Sequence, residues 1–126
     1  MKNSDAIAGF LGFLRDAATQ RHIAADEEGL ANDETQDILH RLELYDDPYN
    51  ETAKLAKMLR EIRRKRRKAK DCGEVVGMID DWAKENVAAV KSLERLLGAI
   101  RKAEKRQEDR FYGNRTEILD KQSDIR

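Results

Sequence analysis

The side chains of this chain best suited to chemistry are bases, gathered in one run. Leu59 to Asp71 reads LREIRRKRRKAKD, with eight bases among the eleven residues from Arg60 to Lys70. At about 100° per residue on a helix, Arg60, Arg63, Arg64, Arg67 and Lys68 share one face, while Leu55, Leu59, Ile62 and Ala69 fall on the opposite one. An arginine fork matches two phosphate oxygens at once, so a row of them at helical spacing is suited to an anion or a phosphate backbone. The competing expectation is a solvated face, or one that meets acids of the same chain. The acids are close at hand: Asp26 to Glu51 carries ten acids against one strong base, and Thr52 to Lys70 carries ten bases against one acid. Because the two segments are adjacent and the whole chain is neutral, a solvated face or one paired with those acids is the stronger expectation from sequence.

A second candidate is Arg110-Phe111-Tyr112-Gly113-Asn114-Arg115. Phe111 or Tyr112 could stack a base, with Arg110 or Arg115 supplying charge for a phosphate. The plainer expectation is that Phe111 ends an apolar seam and Gly113-Asn114 stops a helix. Asp37, His40 and Glu43 have the spacing of half a carboxylate and histidine metal site, but a bundle metal centre needs a second such set, so no metal or other cofactor is expected. Cys72 follows Asp71 near an expected helix end, and both features raise a thiol pKa rather than activate it. Without a glycine-rich phosphate loop, a nucleophile elbow or paired catalytic acids, the expectation is a protein that is not an enzyme.

The elements carrying these residues are expected to be helices throughout. Charged and apolar residues each make up 40% of the 126 residues, a balance typical of long helices and coiled coils. Ser4 as an N-cap opens a first helix with Ile7, Phe10, Leu11, Leu14, Ala17 and Ala18 on one face, stopping near Glu28 before Gly29. Gly9 and Gly12 within it could mark a close helix contact. Asp33 with Gln36 starts a short second helix, about Glu34 to Tyr45. Pro48 starts a third that runs to Lys70, ended by Asp71-Cys72-Gly73. A fourth, about Glu74 to Arg110, carries the seam Ile79, Ala83, Asn86, Val90, Leu93, Leu97, Ile100, Glu104, Gln107, Phe111.

The short link between the third and fourth helices implies a long antiparallel hairpin, with the one or two N-terminal helices packed against it in a coiled-coil-like bundle. That gives an all-α fold with a single domain over 1–112 and a polar tail over 113–126. The length difference leaves apolar positions of the fourth helix uncovered, so a homo-oligomer, most simply a dimer, is expected. Asn86 on the seam would fix register, and Trp82 would serve as a core anchor or an interface hot spot. The apolar stretch Ile7 to Leu14 is too short to span a bilayer, and the lone cysteine fits a reducing compartment, so a cytoplasmic protein without membrane contact is expected.

The segments LHRLEL (Leu39 to Leu44), LREIRRKRRKAKD (Leu59 to Asp71) and EDRFYGNR (Glu108 to Arg115) resemble small helical proteins of phages and prophages of Gram-positive bacteria. That family has no established activity, and no functional residue carries over from it. The resemblance implies a phage-type binding protein that antagonises a host defence component, either an effector protein or a nucleotide signal. Two other expectations stand beside it: a nucleic-acid-binding accessory protein acting through the basic helix 59–70, and a purely structural oligomeric bundle.

Overall fold

A computed structural model of the chain describes residues 1–110. Those residues form three helices, α1 (Asn3–Leu44), α2 (Tyr49–Glu85) and α3 (Val87–Glu108), with no strand among them. The all-α expectation is met, but the helices divide elsewhere than the sequence signals suggest. Residues expected to form two helices, on either side of Gly29, make one helix of 42 residues, about 63 Å long. The Asp71-Cys72-Gly73 break is absent too, since α2 runs through it to Glu85. No hairpin therefore forms between 48–70 and 74–110.

The reason lies in what each stop signal faces. A glycine ends a helix by taking a left-handed conformation, and no described glycine does so. Gly73 instead lies where a Cβ would stand 3.4 Å from the Cβ of Ala24, so its smallness lets α1 and α2 approach closely. Gly9 and Gly12 would meet nothing within 4 Å and are not close contacts. Past Gly29, α1 continues because Ala31, Thr35 and Ile38 keep one buried edge directed at α2. Burial along that edge outweighs the roughly 1 kcal/mol that a glycine costs a helix. Thr35 returns its hydroxyl to the Ala31 carbonyl at 2.7 Å, which satisfies it inside the helix.

Contacts between α1 and the rest of the chain run in opposite order. Ile38 and Ala31 share a cluster with Ile62, bordered by Leu42, Leu55 and Leu59. Ala24 lies against Gly73, Arg21 against Asp80, and Lys2 against Glu108 of α3 at 2.6 Å. Falling numbers on α1 meet rising numbers on α2 and then α3, so the first helix lies antiparallel to the other two.

Three local features set the ends. Ser4 is buried within α1 and is not its cap, while the backbone N–H of Lys2 donates to Asp5 Oδ2 at 3.2 Å. Between α1 and α2, Arg41 forks onto Asp47 at 2.9 and 2.7 Å and covers the Tyr45 ring at 4.4 Å, which fixes the connection. Pro48, expected at the first helical position, sits one place earlier, as the cap before Tyr49. The expected fourth helix is interrupted at Asn86, whose side-chain amide donates to the Trp82 carbonyl at 2.8 Å beside its own backbone N–H at 3.0 Å. A side chain competing for a ladder carbonyl divides α2 from α3. Asn86 thus acts on its own helix rather than as a seam residue that sets register. Beyond it, Val90, Leu93 and Ile100 are half-buried and Leu97 is buried.

Candidate basic interface

The seam of α2 formed by Leu55, Leu59, Ile62, Arg66 and Ala69 is buried or half-buried toward α1. With α1 on that side, the opposite face of α2 must point to solvent. Arg60, Arg63, Arg64, Arg67 and Lys68 are all exposed, and among the described residues none of the five forms an ion pair within 4 Å. The base that does turn inward is Arg66, which donates to Asn32 at 2.7 Å and approaches Glu28 at 3.8 Å. Of the two arrangements expected for the stripe, a solvated face is the one seen, and pairing with the acidic Asp26 to Glu51 segment is confined to this neighbour of the stripe. The physical reason is that α1 borders α2 on the side turned away from Arg60 and Arg64. A helix body then separates those bases from the acids, at distances where salt screens the attraction. Lys68 marks the edge of the stripe, since it shares a shallow groove with Lys65, Glu27, Glu34 and Cys72.

A second charged group was not legible in the sequence. Arg21 of α1 donates to Asp80 at 3.1 Å and to Asp81 at 2.7 Å, while Lys84 meets Asp80 at 2.7 Å. The Asp80 side chain is only 6% exposed. The hydrogen bond from Lys84 holds its carboxyl below the ordinary carboxylate range, aided by Arg21 and opposed by burial. A carboxylate held ionised by two cations has no proton to give at neutral pH, so its work is to tie α1 to α2. The one available signal was that Asp80 lies three residues after Gly77, whose small size opens the space Arg21 occupies. Because the folded pKa of Asp80 lies below the unfolded value near 3.9, its stabilisation is present above about pH 4 and is lost as pH falls through the folded value. Thermal melts of Asp80→Asn should give a midpoint below wild type at pH 7, with the gap closing below about pH 4. A gap that is the same at both pH values would contradict this role.

The remaining sequence candidates are dispersed. Phe111, Tyr112 and Arg115, with the tail from 113, lie outside the described residues, and Arg110 is exposed. Cys72 is exposed in the middle of α2, not near a helix end. Asp37, His40 and Glu43 are exposed, and among the described residues no three His, Cys, Asp or Glu side chains gather as a metal site would require. No described helix is long and apolar enough to cross a membrane. Fold and surface together define a protein of long packed helices with a basic outer face. No family model, curated protein or solved structure matches the chain.

Proposed function

We propose that this protein is a non-enzymatic helical binding protein whose basic outer face on α2 engages a nucleic acid through its phosphates. The observation that carries the reading is that Arg60, Arg63, Arg64, Arg67 and Lys68 stay exposed and outside ion pairs among the described residues, although a strongly acidic segment folds alongside. From Arg60 to Lys68 the stripe spans about 12 Å, over which duplex DNA offers about seven negative charges. Phosphate contacts of this kind position a protein without reading sequence, so weak discrimination between sequences is expected.

The test is fluorescence anisotropy with labelled single strands and duplexes. Five phosphate contacts on a duplex give a slope of about −4.5 in log K against log salt, or roughly a 500-fold loss of affinity between 50 and 200 mM. Absence of binding to every strand and duplex at 50 mM salt would reject the reading. A host defence component as partner is the second reading, supported by the resemblance to phage proteins and by the fact that arginine forks accept protein carboxylates and nucleotide phosphates as readily as a nucleic-acid backbone.

A further inference from the structure

One flank of the α1/α2 pair carries large apolar side chains that the other described residues leave uncovered. Phe10 and Phe13 of α1 and Met78, Ile79 and Trp82 of α2 line a groove of about 300 Å³. Phe10 is 45% exposed, Phe13 53%, Met78 69% and Trp82 46%. The flank continues along the rod. Glu27 and Glu34 follow Phe13 at multiples of seven residues, and they line a second groove with Leu30, Lys65 and Lys68. Leu30 is exposed in that second groove, and Ile23, seven residues before it, is exposed as well.

Two long helices meeting along a line enclose little interior, and among the described residues no large side chain reaches below 2% exposure.

The pattern of charge selects the occupant. On this flank α1 presents aromatics at one level and acids at the next, while α2 presents Met78 and Trp82 at the first level and Lys65 and Lys68 at the second. Each helix therefore offers what a copy of the other would bind. We infer that two copies pack this flank face to face about a two-fold axis running parallel to the helices. Phe10 and Phe13 of one copy then meet the partner's Met78 and Trp82, while Glu27 and Glu34 meet the partner's Lys65 and Lys68. Because the contact is isologous, each of these sets forms twice. Arg60, Arg63, Arg64 and Arg67 stay outside the contact and only Lys68 is shared with the nucleic-acid reading, so the inference does not rest on that reading and is tested without nucleic acid.

The experiment combines light scattering with fluorescence of Trp82, the single tryptophan, over 1 to 100 µM protein as a rough span. The expected result is a mass of twice 14.5 kDa with a blue shift of the Trp82 emission as the concentration rises. Met78→Glu, at an exposed position, should keep its helix content by circular dichroism and raise the dissociation constant by at least about 100-fold. Two further chains test the axis, one with Glu27→Lys and Glu34→Lys, the other with Lys65→Glu and Lys68→Glu. Each alone should be monomeric, and mixing them should restore a dimer, because the like-charge contacts become opposite-charge ones. A monomer at every concentration would overturn the inference and leave the flank to a different protein. A dimer indifferent to Met78→Glu, or charge variants that fail to rescue one another, would also overturn it.

Discussion

Ile62→Ala is expected to destabilise the protein by about 2 to 4 kcal/mol. Ile62 is 8% exposed and joins Ala31 and Ile38 in a cluster bordered by Leu42, Leu55 and Leu59. Truncation removes its transfer free energy and leaves a cavity that two long helices, tied together at both ends by other contacts, cannot fully close. The loss is a large part of the roughly 5 to 15 kcal/mol that holds a domain folded. Leu97→Ala should behave similarly, since Leu97 is 7% exposed. Leu93, on the same expected seam, is half-buried and should lose less. Met58→Ala serves as the control: Met58 is 49% exposed, and its truncation should stay within about 0.5 kcal/mol. Urea denaturation of the four variants checks the ranking, and equal small losses at Ile62 and Met58 would show that α1 does not pack on this face of α2.

Joint replacement of Arg60, Arg64 and Arg67 by glutamine should have the largest effect on binding. The change removes three phosphate contacts from five and should flatten the salt dependence by about 2.7 units on a duplex, or about 2.1 on a single strand. All three residues are exposed and outside ion pairs among the described residues, so the melting midpoint should hardly move. Salt titrations of both proteins, run beside thermal melts, measure the two effects separately. If instead the variant melts earlier and the difference shrinks as salt rises, the stripe is working as an ion-pairing surface within an assembly, because exposed pairs are screened.

Periodicity made much of this legible. Helical spacing puts Leu59, Ile62 and Ala69 on the inner face of a helix and Arg60, Arg64 and Arg67 on the outer, and both groups lie there. Pro48 marked the start of α2 to within one residue. Gly29 and Gly73 misled, because a glycine ends a helix only where the chain gains nothing by continuing, and both lie in helices whose buried edge continues past them. Asn86 misled in the opposite sense: its place on an apolar seam suggested a partner across the interface, yet its amide found the Trp82 carbonyl one turn back.

The sequence by itself determined the helical class and which face of each helix is apolar or basic, since both follow from composition and from repeats a few residues long. Only the tertiary structure decided where the helices end, which of them lie side by side, and that Arg66 rather than Arg60 or Arg64 meets an acid. Each of those outcomes depends on side chains some 30 to 60 residues apart, such as Ala24 against Gly73 and Arg21 against Asp80. A local pattern can state that a face is available for burial, but the partner that covers it is fixed by packing over the full length of the chain.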